Sequence, residues 1–226
     1  MSTLLSQYGY YGFLTLVALS MVVLTLWRRG NYGFSVASAV GFPLVLLICG
    51  VSGTKLLYYV ESGFTSFGGM SFFGAVFLVL LLMPLAGLLF RLKPLQSLDA
   101  CAPCVASIIG FMRFGCLCAG CCGGVMCNLG TLHFQWPTQL IEGFGDMLIL
   151  GFLLHLEQQE KWQGWLYPVF LVTYGTMRFG IEFLRDTPKD MLFLSEGHWF
   201  SLLGILIGVV WILKTRKGRF LNGDRA

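Results

Sequence analysis

The sequence predicts an all-α, polytopic membrane protein built as a single transmembrane domain over residues 1–226. Of its residues, 56% are hydrophobic and only 12% are charged, and the mean hydropathy is +0.76. A soluble domain of this length could not bury so much apolar surface. Apolar runs long enough to cross a hydrocarbon core of roughly 30 Å recur along the whole chain.

The positions of these runs predict about seven transmembrane helices. The predicted spans are residues 9–27, 35–60, 69–90, 98–112, 138–156, 164–183 and 199–213. The fourth is the weakest assignment, because it is short and contains Asp99.

The basic residues predict an N-terminus outside and a C-terminus in the cytoplasm. Cytoplasmic loops of membrane proteins carry an excess of Lys and Arg. The residues that this orientation places inside are Arg28, Arg29, Arg91, Lys93, Lys161, Lys214, Arg216, Lys217, Arg219 and Arg225. The net charge of +4 therefore reflects topology, and no nucleic-acid partner is expected.

Two segments are predicted to lie on the outer side. Residues 113–137 are rich in Gly and Cys. Glycine allows close backbone approach, which favours an ordered re-entrant or interfacial loop over a flexible linker. Residues 185–198 are interpreted as a short cap over the membrane surface.

Charged residues within or beside the apolar runs form a second pattern. The set is Lys55, Arg113, Glu142, Asp146, Arg178, Glu182 and Arg185. At helical spacing Glu142 and Asp146 share one face of a helix. Arg178, Glu182 and Arg185 share one face of another. They could be ion pairs that hold helices together. So many ionisable groups at one depth favour a shared cavity instead, where surplus arginines would bind a phosphate-bearing lipid head group.

The eight cysteines fall into two groups. Cys49, Cys101 and Cys104 lie in predicted spans and are interpreted as small apolar fillers. The others are Cys116, Cys118, Cys121, Cys122 and Cys127, and their spacing is too irregular for a finger-like zinc site. For this second group the residues leave filling, a disulfide, a redox or metal role and direct participation in a site open. No metal or cofactor is assigned.

Four ordered blocks resemble the prolipoprotein diacylglyceryl transferase family. They are GGMSFFGA (68–75), MRFGCLCAGCCGG (112–124), WPTQLIE (136–142) and YGTMRFGIEFLRD (174–186). The family carries Gly-Gly-Met-Ser-Phe-His-Gly, Gly-Arg-x-Gly-Asn-Phe, His-Pro-Ser-Gln-Leu-Tyr-Glu and Tyr-Gly-x-x-Arg-x-x-x-Glu-Phe-x-Arg in the same order. Residues 49–60 also resemble the family's second helix, with Lys55 where an arginine is common.

The resemblance implies a seven-helix enzyme of the bacterial inner membrane. Such an enzyme moves diacylglyceryl from phosphatidylglycerol to the thiol of a lipobox cysteine, so its expected partners are an anionic phospholipid and a prolipoprotein signal peptide. The catalytic residues that it implies are Arg113, Tyr174, Arg178, Glu142 and Glu182. The lipid-binding residues expected are Arg113, Arg178, Arg185, Lys55 and Gln139. Arginines would hold the phosphate and stabilise charge on the leaving group.

The chain departs from the family pattern at four positions. Phe73 stands where the first block has its histidine, and Trp136 where the third block has one. Cys116 and Cys121 replace the signature asparagine and a nearby glutamate. Loss of a base costs on the order of 10²-fold or more in rate unless another group replaces it. The alternative function is therefore a non-catalytic, redox or metal-binding membrane protein that uses the segment from Cys116 to Cys127.

Overall fold

The computed structural model describes residues 2–66, 68–69, 71–129, 132–188 and 194–221. The described residues form eight helices, one β-hairpin and two 3₁₀ turns. The helices are α1 (Ser2–Trp27), α2 (Arg29–Tyr32), α3 (Val36–Glu61), α4 (Phe72–Ala86), α5 (Pro94–Ala119), α6 (Thr138–Glu157), α7 (Leu166–Glu182) and α8 (Glu196–Leu221). The 3₁₀ turns are Gly87–Phe90 and Glu160–Trp162. The hairpin consists of β1 (Met126–Leu129) and β2 (Leu132–Gln135).

The long helices follow the predicted spans in order, with the short α2 between the first two. Five helical segments are long and apolar enough to cross a membrane. They are Val36–Glu61, Phe72–Phe90, Pro94–Ala119, Thr138–Glu157 and Glu196–Thr215. The prediction of an all-α, polytopic membrane protein is therefore confirmed. The number of seven crossings and the sidedness of the termini stay predictions.

Helix α5 occupies the centre of the bundle. It packs against α1 and α6 and also contacts α4 and α7. A larger share of α5 is buried than of any other candidate span, and its buried face is rich in small residues, including Cys101 and Cys104. Small residues let neighbouring helices approach closely. Cys101 is buried as the predicted apolar filler, whereas Cys104 also accepts a hydrogen bond from Arg28 Nη1 at 3.9 Å.

Helix α5 extends beyond the predicted fourth span, residues 98–112, at both ends. Pro94 opens α5, where its missing N–H costs nothing. The helix then continues past Arg113 to Ala119, and Gly120 ends it in the left-handed conformation, with φ of 67°. The outer segment therefore begins at Gly120 and not at Arg113. The helix can continue past Arg113 because the carboxylate of Glu142 in α6 neutralises the charge of this arginine.

The outer segment is ordered around the β-hairpin. Strands β1 and β2 pair antiparallel, with Cys127 opposite Phe134. Just before β1, the Val125 N–H donates to the Leu184 carbonyl at 2.8 Å, and Gly124 forms a β-bridge with Arg185. These bonds attach the hairpin to the end of α7. The predicted cap at residues 185–198 lies partly outside the described residues, because 189–193 are not among them.

A buried ion pair holds the opposite end of the bundle together. Arg28 follows α1 and is 3% exposed. Its Nε and Nη2 donate to the two oxygens of Glu157 at 2.7 and 2.6 Å, and its Nη1 donates to the Ala100 carbonyl at 3.0 Å. Asp99, which made the fourth span a weak assignment, accepts hydrogen bonds from the backbone N–H groups of Gly164 and Leu166. These groups link α1, α5, α6 and the start of α7.

Replacement of Glu157 should destabilise this end strongly. In Glu157→Gln, the buried Arg28 keeps its charge without a counter-charge, which costs on the order of 3–5 kcal/mol. The measurement is thermal unfolding in detergent, followed by the reaction of buried Cys101 and Cys104 with a thiol dye. Arg29→Gln changes an exposed cation in the next position and should leave the midpoint unchanged. Equal midpoints for Glu157→Gln and the unaltered protein would contradict the role of the pair.

Candidate functional site

A cavity of about 540 Å³ opens at the end of the bundle opposite Arg28. Residues from α3, α4, α5, α7, α8 and the loop after α5 form its wall. The polar and charged residues that line it are Tyr58, Glu61, Ser71, Arg113, Cys122, Arg178, Glu182, Arg185, Thr187, Ser195 and Glu196. The sequence predicted that charged groups from different helices would meet in one place. Four of them line this cavity: Arg113, Arg178, Glu182 and Arg185.

One carboxylate organises the arginines of the cavity. Glu142, in the first turns of α6, is 1% exposed. Its Oε2 lies 2.6 Å from Arg113 Nε of α5 and 3.4 Å from Arg185 Nη1, and its Oε1 accepts from Arg178 Nη1 of α7. Three guanidinium groups from separate parts of the chain therefore surround a single side chain.

A second carboxylate supports the same arrangement. Glu182 lies one turn after Arg178 on α7, and its Oε2 is 2.6 Å from Arg178 Nη2. Its Oε1 accepts from Ser195 Oγ at 2.8 Å and Thr187 Oγ1 at 3.0 Å. Gly197 approaches Glu182 so closely that an added Cβ would lie 2.6 Å from the carboxyl carbon. The first turn of α8 therefore packs directly against the Glu182 side chain.

The cluster carries a net positive charge. Arg113, Arg178 and Arg185 contribute three positive charges against two negative charges from Glu142 and Glu182, which leaves one positive charge. All three guanidinium groups also line the cavity. Guanidinium groups present several N–H donors in a fixed plane, which suits the oxygens of a phosphate. The arrangement can bind one anionic group.

An aromatic wall closes the cavity on the side of α4. Phe73, at the position where the resembling family has a histidine, is buried and stacks on Phe200 with ring centroids 5.4 Å apart. Tyr174 contacts Phe73 and Phe72. Its buried hydroxyl has no hydrogen-bond partner among the described residues. Tyr174 does not itself line the cavity.

Three other predicted residues lie near the cavity but not in its wall. Asp146 is fully buried on the face of α6 that also carries Glu142, and neither of its oxygens has a hydrogen-bond partner among the described residues. Lys55 donates to the Gly69 carbonyl at 3.2 Å. Gln139 donates to the Cys121 carbonyl at 2.6 Å. Both contacts are to backbone carbonyl groups near the cavity, and the lipid-binding role expected of these two residues stays a prediction.

Three of the outer cysteines form a cluster, which we call the thiol trio. The Sγ atoms of Cys116, Cys121 and Cys122 all lie within 4.8 Å of one another, and Cys122 also lines the cavity. The pKa of Cys122 is lowered to about 5, because the Cys116 thiol donates a hydrogen bond to it and because Arg185 and Arg113 favour the thiolate. Cys118 and Cys127, which the sequence grouped with these three, are not part of the trio.

Sequence reasoning missed several residues of the cavity. Glu61 ends α3 and accepts a hydrogen bond from Ser71 Oγ at 2.6 Å, on the wall formed by α3 and α4. Ser195 joins Glu182 to the start of α8. The only available signal for Glu61 was a carboxylate at the end of an apolar run. Nothing in the sequence pattern pointed to Ser195.

The fold and the cavity define an integral membrane protein with a buried, arginine-lined site at one end of its helices. The family model described as "Prolipoprotein diacylglyceryl transferase" matches residues 4–214. The chain belongs to this family, whose name places it among the transferases.

Two relatives from clostridia match over nearly the whole chain. The phosphatidylglycerol–prolipoprotein diacylglyceryl transferase of Clostridium tetani is 28% identical over 235 residues, which cover 91% of this chain and 92% of the relative. Phosphatidylglycerol–prolipoprotein diacylglyceryl transferase 2 of Clostridium perfringens is 27% identical over 241 residues, with 95% and 94% covered. Both matches therefore cover more than nine tenths of this chain.

Loss of the central carboxylate should disrupt the site and the fold together. In Glu142→Gln, three guanidinium groups stay close together without their shared counter-charge, and we expect a loss of stability on the order of 3–5 kcal/mol. Thermal unfolding in detergent measures the loss. Glu196→Gln removes an exposed carboxylate at the rim of the same cavity and should change the midpoint little. Comparable midpoints for the two variants would show that Glu142 does not hold the cluster together.

Proposed function

We propose that this protein transfers the diacylglyceryl group of phosphatidylglycerol to the thiol of a lipobox cysteine in a prolipoprotein. The names of the relatives support the reaction and both substrates. The main structural support for the proposal is the cavity, whose three guanidinium groups all contact Glu142. The reaction takes place at the outer face of the bacterial inner membrane, where the cavity end of the bundle lies.

The charge of the cluster fits the lipid head group. Phosphatidylglycerol carries one negative charge on its phosphodiester, and the five charged side chains of the cluster leave one positive charge. When the bond from the diacylglyceryl carbon to the phosphate oxygen breaks, glycerol phosphate leaves with a second negative charge. Fixed guanidinium groups around that oxygen stabilise this charge in a site shielded from bulk water. Arg113, Arg178 and Arg185 are assigned this role.

The two glutamates are assigned a positioning role. Glu142 contacts all three arginines, and Glu182 contacts Arg178 and accepts two hydroxyl hydrogen bonds. Both carboxylates are therefore engaged by guanidinium groups, and Glu182 also by two hydroxyl groups. We infer that they fix the guanidinium planes toward the phosphate, and that activation of the acceptor thiol belongs to another part of the cavity.

Geometry, and not charge alone, should matter at Arg178. The variant Arg178→Lys keeps the charge but cannot contact Glu142 and Glu182 with separate nitrogens of one rigid plane. We expect thioether formation on a lipobox peptide to fall by about 10²-fold, in line with the loss of one preorganised donor. Mass spectrometry of the peptide with phosphatidylglycerol vesicles measures the transfer. The matched control Arg91→Lys, exposed near the opposite end, should retain full transfer. Full activity of Arg178→Lys would contradict the assignment.

The proposed orientation can be tested with impermeant thiol reagents. Cys118 and Cys121 are exposed at the cavity end, so both should react in intact spheroplasts after mild reduction in the presence of a chelator. A cysteine introduced at exposed Lys214 in α8 should react only after permeabilisation. Cys101 and Cys104 are buried and provide an unreactive control. Protection of the outer thiols together with labelling of Lys214→Cys would reverse the proposed orientation.

A further inference from the structure

We propose that the thiol trio binds a thiophilic divalent cation such as Zn²⁺ at the edge of the cavity, and that the open coordination position of this ion receives the acceptor thiol. The second half of this proposal rests on the proposed transferase function. The first half, a metal site made of Cys116, Cys121 and Cys122, stands on the arrangement of these residues alone.

The spacing of the three sulfurs fits a small shared ion. Zinc lies about 2.3 Å from a thiolate in tetrahedral sites, which separates the sulfurs by about 3.8 Å. In the trio all Sγ atoms lie within 4.8 Å of one another. The three sulfurs therefore lie close to the spacing that one shared ion requires.

The backbone that carries the trio is held on both sides. Cys116 lies in the last turn of α5, and the Cys121 N–H donates to its carbonyl at 3.1 Å. From the start of α6, Gln139 Nε2 donates to the Cys121 carbonyl at 2.6 Å and Thr138 Oγ1 donates to the Cys122 carbonyl at 3.0 Å. These contacts hold the backbone at Cys121 and Cys122, from which two of the three thiols project. Such support of ligands is typical of metal sites.

Charge and access also favour an ion at this position. Arg113 and Arg185 line the same cavity wall as Cys122, so positive charge lies beside the sulfur ligands. Cys121 and Cys122 are exposed, which provides an entry path. Among the described residues, no fourth His, Cys, Asp or Glu belongs to the group. Three protein ligands with one open position are the arrangement of catalytic zinc sites, whereas structural sites are closed by a fourth ligand.

The open position supplies a way to activate the acceptor thiol that needs no imidazole. The cavity wall contains no imidazole among the described residues, although the carboxylates of Glu61 and Glu196 also line it. A thiol that coordinates the ion loses its proton to solvent at the exposed face of the trio, because metal coordination deprotonates thiols. The bound sulfur then attacks the diacylglyceryl carbon with its electron pair. The carbon–oxygen bond to phosphate breaks, and glycerol phosphate keeps that bond's electrons. The resulting thioether is a weaker ligand and leaves the ion.

Metal binding is tested first, without any activity assay. The full-length protein is purified in detergent under reducing conditions, loaded with Zn²⁺ or Co²⁺ and desalted. We expect about one ion per chain by elemental mass spectrometry and a thiolate-to-cobalt charge-transfer absorption. Cys116→Ser, Cys121→Ser and Cys122→Ser should each weaken binding about tenfold or more. Cys118→Ser and Cys127→Ser are matched controls from the same segment and should bind like the unaltered protein.

Several results would overturn the metal site. They are sub-stoichiometric zinc, equal binding by the trio variants and the controls, or a protein mass that shows two of the trio joined in a disulfide under the reducing conditions. Normal helical content of each variant by circular dichroism shows that a loss of metal is not a loss of fold.

The role of the open position is tested with the cobalt-loaded protein. A lipobox peptide should change the cobalt spectrum, and the same peptide with serine in place of its cysteine should not. Identical spectra with both peptides would overturn the second half of the proposal. Transfer by zinc-free protein at the full rate would overturn it as well. If the proposed function fails instead, the loaded protein forms no thioether, while metal stoichiometry and its dependence on the trio are unchanged.

Discussion

The pairing of one buried carboxylate with three arginines is the constraint on which the cavity end of the molecule depends. Glu142 comes from α6, Arg113 from α5, Arg178 from α7 and Arg185 from the segment just after α7. A charged group is costly in an apolar environment unless a partner compensates it. The three cations share this depth because Glu142 lies at their centre, and the segments that carry them meet there.

The opposite end uses the same type of contact for a different purpose. Arg28 and Glu157 form a bidentate pair that is closed by Tyr32 and by backbone carbonyls of α5. No described cation is left in surplus within that pair, so it holds helices together and has no capacity for a further anion. At the cavity end, three guanidinium groups against two carboxylates leave donors that face an open volume. The difference between the two ends separates a structural ion pair from a binding site.

Helical periodicity and the family blocks predicted much of this arrangement. The i, i+4, i+7 spacing predicted that Arg178, Glu182 and Arg185 share one face. In the structure Arg178 and Arg185 both reach Glu142, and Glu182 contacts Arg178. The end of α5 could not be predicted from the sequence, because hydropathy falls at Arg113 while the carboxylate that compensates this arginine lies far along the chain. The thiol trio could not be predicted either. Cys116 and Cys122 meet only because Gly120 and Cys122 adopt positive φ and turn the chain back over the helix end.

The bridge between Gly124 and Arg185 connects the loop that follows α5 to the charged cluster. Arg185 belongs to the β-bridge through its backbone and to the carboxylate cluster through its guanidinium group. The loop that carries Cys121 and Cys122 leads directly into Gly124. The loop that carries two of the three thiols and the cluster that carries the arginines are thereby joined through Arg185.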